Sequence, residues 1–106
     1  MGNIVNADTP EFKTFIEGCQ KLISNRFEVS FPNLDIPTLK HNNGRRYYRI
    51  ERIDNQTSVH AFIDRTNGDV LKAAGWKAPA KHARGNIFDK SNGLDRMTST
   101  GPAYLK

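Results

Sequence analysis

Hydrophobic residues recur every three or four positions in the first quarter of the chain. The residues with this spacing are Phe12, Phe15, Ile16, Cys19, Leu22 and Ile23. It places them on one stripe of a helix, with charged and polar residues opposite. Pro10 suits the first helical turn, and Glu11 favours the positive end of the helix dipole. The pattern therefore predicts an amphipathic helix from Pro10 to Asn25.

The pattern then changes to alternation of apolar and polar positions, which is typical of strands with one buried face. Such strands are predicted at Phe27–Phe31, Arg45–Ile53, Ser58–Asp64 and Val70–Ala73. The dipeptides Asn43-Gly44 and Asn67-Gly68 favour tight hairpin turns. Consecutive strands are therefore expected to pair in an antiparallel manner.

A basic loop rich in small residues follows the last of these strands and surrounds Trp76, the only tryptophan. Pro79–Arg84 is predicted to form one helical turn, with Gly85 as its left-handed stop. Ile87 and Phe88 are expected to return to the core. Because an indole ring has a large apolar area and its neighbours here are small, we expect Trp76 to be mostly buried and to organise the loop.

These elements predict an α+β fold. It has one N-terminal amphipathic helix packed on a small antiparallel sheet of three to four strands, followed by an irregular basic C-terminal segment. The connections are too short for parallel crossovers. A chain of 106 residues is enough for one domain. We expect a single domain over residues 1–106, with residues 1–7 as a loose N-terminus and residues 90–102 as a loop-rich tail.

Basic residues are concentrated in the middle of the chain. The formal net charge is +5, but residues 40–84 alone hold ten Lys and Arg against four Asp and Glu, a net of +6. A localised positive region favours an anionic partner. The alternative interpretation is a solvated surface that only keeps the protein in solution.

The single cysteine, Cys19, excludes an intramolecular disulfide and favours a reducing compartment. Its place in the apolar helix stripe predicts a packed thiol and not a nucleophile. No apolar run approaches the length of a membrane span, and the first residues lack a signal-peptide pattern. We therefore expect an intracellular protein without a membrane partner.

The second half of the chain resembles small uncharacterised proteins of tailed bacteriophages. The resemblance extends from Phe62 to Leu105. It rests on the runs Phe62–Asp64, Thr66–Ala73, Trp76–Lys81 and Arg84–Asp89 and on the closing Gly101–Leu105. It implies a phage-encoded protein in the cytoplasm of the host cell, and it leaves association with the virion open. It implies no activity and no catalytic residue, because none is defined for such proteins.

Sequence-nonspecific nucleic-acid binding is the first functional hypothesis. Basic groups that hold phosphates, with aromatic rings that stack on bases, are the usual means of single-strand binding. Tyr47, Tyr48 and Trp76 lie among the basic residues of the middle segment. The predicted contact residues are Arg45, Arg46, Arg49, Lys72, Lys77, Lys81 and Arg84.

A protein-interaction module that binds a host or virion protein is the alternative, with an exposed Trp among basic residues as its hot spot. A phosphodiester-acting enzyme is the least favoured hypothesis. His41, His60 and His82 are isolated and lack metal-ligand spacing. The chain also has no Walker motif, nucleophile elbow or dinucleotide-binding glycine pattern. The sequence thus predicts no enzyme, no cofactor and no metal site, and it leaves the oligomeric state unknown.

Overall fold

The helix and sheet of this protein are described over residues 4–102 by a computed structural model. Within that range the helix α1 (Pro10–Ser30) precedes a five-stranded antiparallel sheet whose strands pair in chain order. The strands are β1 (Thr38–Asn43), β2 (Tyr47–Ile53), β3 (Thr57–Asp64), β4 (Asp69–Ala73) and β5 (Pro79–Asn86). A short ribbon of β6 (Met97–Thr98) and β7 (Gly101–Pro102) follows. The predicted α+β class is confirmed, but the sheet has five strands and not three to four.

The helix is longer than predicted, and the strand predicted at Phe27–Phe31 is wrong. Positions 27 and 31 are four residues apart, so they share a helix face as readily as a strand face. Their rings lie 5.1 Å apart between centroids, and the Phe31 N–H donates to the Phe27 carbonyl. Val29, between them, is 83% exposed. The alternation of this segment therefore reflects the last turns of α1.

The two outer strands were not predicted. β5 replaces the helical turn expected at Pro79–Arg84, and it pairs with β4 through two register shifts. β1 covers residues for which no strand was predicted, and it forms a hairpin with β2 whose turn lies at the predicted Asn43-Gly44. Both segments are poor in the β-branched and aromatic residues that favour strands, since Thr38 of β1 is the one such residue in the two strands. Their backbone hydrogen bonds are supplied by the neighbouring strand, which overrides the weak local preference.

The core lies between α1 and one face of the sheet, here called the covered face. The predicted helix stripe is confirmed: Phe12, Phe15, Cys19 and Ile23 are buried. Burial raises the pKa of the Cys19 thiol to about 12, so the thiol is neutral at physiological pH. The covered face contributes Tyr48, Ile50, Ala61, Ile63 and Val70 to the same cluster.

Two glycines allow close contacts that a side chain would prevent. A Cβ at Gly18 would lie 2.5 Å from a methyl group of Leu94, which packs against α1 at this point. Gly101 has a φ of +115°, and its Cβ would lie 2.5 Å from the His60 carbonyl oxygen. The positive φ favours glycine, and the contact places β7 directly beside β3.

The N-terminal lead-in packs against the sheet where it is described. Val5 is buried, and the N–H groups of Ile4 and Val5 donate to the Arg65 carbonyl at 2.8 and 3.0 Å. The Arg65 side chain returns a hydrogen bond to the Val5 carbonyl. Residues 4–102 contain no helix with the length and apolar character that crossing a membrane requires.

Candidate nucleic-acid interface

The sheet face opposite α1, here called the open face, carries the charged side chains of β2. Alternation places Tyr47, Arg49 and Glu51 together on this face. In the pairing with β1, Asn42 lies opposite Arg49 and Lys40 lies opposite Glu51. The open face is therefore a charged surface on a central strand.

Arg49 links this surface to the hairpin between β4 and β5. Its Nε donates to a carboxylate oxygen of Glu51 at 3.0 Å, and its guanidinium lies 4.3 Å from the centroid of the Trp76 ring. A further hydrogen bond of 3.5 Å runs from Arg49 to the Trp76 carbonyl. One arginine thus holds the hairpin tip against the sheet through both the ring and the backbone of Trp76.

Glu51 is a buried carboxylate that remains charged. Burial alone would raise its pKa, but hydrogen bonds from Arg49 and Asn42 and the positive charges of Arg49 and Lys40 together lower it. The Lys40 ammonium lies 3.9 Å from the second carboxylate oxygen. The fixed negative charge of Glu51 therefore anchors Arg49, and Arg49 in turn positions Trp76.

A cavity of about 320 Å³ opens beside this stack, between the β1–β2 turn and the hairpin tip. Its basic lining residues are Arg45, Arg46, Arg49 and Lys77, and its aromatic lining residues are Tyr47 and Phe62. We call the group Arg45, Arg46, Tyr47, Arg49, Trp76 and Lys77 the Trp76 surface.

Arg46 is partly neutralised but still accessible. Its guanidinium lies 3.4 Å from a carboxylate oxygen of the buried Asp64 and 5.2 Å from the centroid of the Tyr47 ring. The arginine side chain is nevertheless 64% exposed. Asp64 also accepts hydrogen bonds from the backbone and hydroxyl of Thr66, so it does not depend on Arg46 alone.

The seven predicted contact residues divide into three groups. Arg45, Arg46, Arg49 and Lys77 meet at the Trp76 surface. Lys81 and Arg84 lie on the edge strand β5, where Arg84 donates to the His82 carbonyl. Lys72 lies two positions after the core residue Val70 and so shares its face of β4, the covered face. There its ammonium donates to the Pro102 carbonyl at 3.0 Å. The structure does not bring Lys72 to the Trp76 surface.

The expected burial of Trp76 is wrong, since the residue is 44% exposed. The N–H groups of Ala74 and Gly75 both donate to the Ala78 carbonyl, which closes a tight turn. Trp76 lies at the apex of that turn, beyond the edge of the core. Its ring packs on the Arg49 guanidinium.

Two buried carboxylates, Glu51 and Asp64, were not among the predicted site residues. The signal for Glu51 is its spacing: an acid two positions after Arg49 on a strand lies on the same face. Asp64 comes opposite Tyr47 only through the β2–β3 register. That register includes a bulge between Ile50 and Glu51 that alternation does not reveal.

Comparison with known proteins gives one family. Residues 12–104 match the family described as "Family of unknown function (DUF7717)". No curated protein and no solved structure matches the chain. The matched range includes the whole Trp76 surface, and the family description assigns no activity to it.

Proposed function

The chain belongs to this family of unknown function, and we propose that it binds single-stranded nucleic acid without sequence preference through the Trp76 surface. The observation that carries the proposal is a half-exposed Trp76 ring, stacked on Arg49 beside a cavity lined by further arginines and a lysine. Aromatic platforms next to cationic grooves are how single strands are held.

The Trp76 ring is preorganised to stack on a base. Glu51 fixes the Arg49 guanidinium at 3.0 Å, and the guanidinium supports one side of the indole at 4.3 Å. The Trp76 residue is 44% exposed. Stacking of one base on such an aromatic residue contributes about 1–3 kcal/mol and accepts any base, because every base has a π face.

The phosphates are contacted by the exposed cations around the cavity. Arg45, Arg46 and Lys77 are exposed, whereas the charge of Arg49 is largely balanced by Glu51. Three phosphate contacts on a single strand correspond to a slope of about −2 in log K against log salt. Nothing in this set resembles the bidentate base-edge contacts that read sequence.

A titration with a short oligothymidylate tests the proposal. We expect quenching of the single Trp on binding, and weaker binding by a duplex of the same length. Affinity measured by anisotropy of a labelled strand should fall about tenfold or more in Trp76→Ala. Lys77→Glu should lower both the affinity and the salt slope.

Lys21→Glu is the matched control, because it makes the same charge change at an exposed position of α1. It should bind nearly as the parent does. Absence of binding at low salt would refute nucleic-acid binding. Equal losses in Lys77→Glu and Lys21→Glu would mean that only the overall charge of the chain matters.

We further propose that the protein is a phage-encoded accessory protein that acts by binding in the cytoplasm of the infected cell. Support comes from the resemblance of Thr66–Ala73, Trp76–Lys81 and Arg84–Asp89 to phage proteins. These runs include Trp76 and Lys77. Mass spectrometry of infected cells and of purified virions would locate the protein, and its detection only in uninfected cells would contradict this origin.

A further inference from the structure

A second exposed surface lies at the end of α1, away from the Trp76 surface. Phe31, Leu34 and Ile36 follow the helix and are exposed, with Leu34 at 60%. Contiguous apolar residues of this kind on a soluble domain mark interaction sites. The two surfaces share no residue, so nucleic-acid binding does not account for this one.

Two adjoining depressions form this second surface, and both are lined by Phe27 and Leu34. One, of about 570 Å³, also carries Arg26 and Arg52. The other, of about 670 Å³, also carries Asp35 and Asp54. We call Arg26, Phe27, Phe31, Leu34 and Asp35 the Leu34 surface. It is apolar in the middle, positive on one side and negative on the other.

The charges that face outward are those of Arg26 and Asp35. Arg52 and Asp54 form an ion pair with each other, with 3.6 Å between the Arg52 Nε and a carboxylate oxygen of Asp54. Arg26 lies 6.0 Å from the Phe31 ring centroid, and neither Arg26 nor Asp35 forms an ion pair within residues 4–102. Two opposite charges that form no ion pair with the described residues therefore flank one apolar centre.

We propose that a second copy of this chain binds the Leu34 surface in a twofold-symmetric dimer. A twofold axis near Leu34 brings the positive side of each copy against the negative side of the other. Arg26 then pairs with Asp35 of the other copy, twice, while the Leu34 and Phe31 side chains meet in the middle. An interface of this type needs a patch that is complementary to itself, and the Leu34 surface has that arrangement.

The net charge of +5 does not oppose this dimer at short range. Residues 40–84 hold the excess positive charge, and the Leu34 surface itself is balanced. Charges farther apart than about 8 Å are screened at physiological salt. Because the Leu34 surface and the Trp76 surface share no residue, we expect one dimer to present two copies of the Trp76 surface.

Sedimentation equilibrium of the pure protein tests the dimer. We expect concentration-dependent dimers at up to about 200 µM protein, a range in which even weak association is detected. Leu34→Ser should raise the dissociation constant about tenfold or more, as expected for an anchor at the centre of an interface. Val29→Ser is the matched control, because Val29 is exposed on the same helix end but lines neither depression.

A charge exchange identifies the occupant as a second copy. The dimers of the Arg26→Asp variant and of the Asp35→Arg variant should each dissociate. In each variant both proposed ion pairs become contacts between two charges of the same sign. An equimolar mixture of the two variants should restore a dimer, because both pairs are then opposite in sign. Circular dichroism checks that each variant is folded.

Three results would overturn the proposal. One is a parent protein that stays monomeric over the whole range, which would leave a different kind of partner for this surface. Another is an equal loss of dimer affinity in Leu34→Ser and Val29→Ser. The third is a mixture of the charge variants that stays monomeric.

Discussion

The two faces of the sheet handle buried polar groups in opposite ways. On the open face, Glu51 and Asp64 are buried carboxylates, and each has an arginine within 3.4 Å. On the covered side, His60 is 3% exposed, and neither ring nitrogen has a partner among residues 4–102. Burial, together with the positive charges of Arg52 and Lys72, lowers the pKa of His60 to about 4.

The difference follows from what covers each face. α1 and the β6–β7 ribbon exclude water from the covered side, so a histidine there stays neutral because charging it is costly. On the open face the hairpin tip lies against Arg49, and the buried carboxylates are paired with arginines. The covered side therefore holds the main apolar cluster of the fold, and the open face holds paired charges.

Truncation of the covered core should give the largest effect. Phe15→Ala removes a fully buried ring and should cost about 3–5 kcal/mol in the free energy of unfolding. The matched change Phe31→Ala removes a partly exposed ring at the helix end and should cost about 1 kcal/mol. Urea denaturation at low protein concentration measures both. Similar losses would contradict the assignment of the core to this side of the sheet.

The covered side is also the part that the sequence predicts best. The spacing of Phe12, Phe15 and Cys19 has only one interpretation. Apolar residues that recur every three or four positions form a helix stripe, and the alternation of a strand cannot produce that spacing. The segment Phe27–Phe31 fits both periods, and only the packing of the last helical turns decides it. β5 has almost no strand signal of its own, since its pairing with β4 supplies the preference.

Acid should destabilise the protein through His60. The folded pKa of about 4 lies below the usual value of 6.5. Below pH 6.5 the unfolded chain therefore takes up a proton that the folded protein does not accept. Stability is complete above pH 6.5 and decreases as the pH falls toward 4, by about 2 kcal/mol between pH 6.5 and 5. Urea denaturation at several pH values measures this slope.

The control for this prediction is His60→Leu, which has no proton to gain. Its unfolding free energy should be flatter than that of the parent between pH 6.5 and 5. The Glu51 carboxylate, whose pKa is lowered in the fold, affects stability only at lower pH. Equal slopes in the parent and His60→Leu would show that His60 is not the titrating group.

Removal of an arginine from the open face should lower the free energy of unfolding by less than Phe15→Ala does. The size of the loss depends on which carboxylate, Glu51 or Asp64, loses its partner. Arg49→Met removes the closest charged partner of Glu51 and should cost about 1–3 kcal/mol. Arg46→Met should cost about 1 kcal/mol or less, because Arg46 is mostly exposed and Asp64 keeps its bonds to Thr66. Thermal unfolding at pH 7 compares the two. A larger loss in Arg46→Met would reverse the proposed order.

The candidate site was only partly predictable from the sequence, because part of it depends on pairing and turn geometry. Sequence alternation alone separates Lys72 from Leu71 and would have excluded Lys72 from the open face. The meeting of Lys77 with Arg45 depends on how the hairpin tip folds back onto β2. That geometry arises from the hydrogen bonds of Ala74 and Gly75 to Ala78, which no hydrophobic pattern encodes.

Trp76→Ala should be the mildest change to stability and the most informative about the open face. The ring is 44% exposed and its main contact is the Arg49 guanidinium, an interaction that contributes about 0.5–1 kcal/mol at exposed sites. Since this chain has a single Trp, fluorescence reports on that contact directly. Arg49→Met should shift the emission toward that of a water-exposed indole, whereas Arg46→Met should leave it unchanged. A parent spectrum typical of a fully buried indole, or a cost above about 3 kcal/mol in Trp76→Ala, would mean that the ring belongs to the core and cannot stack on a base.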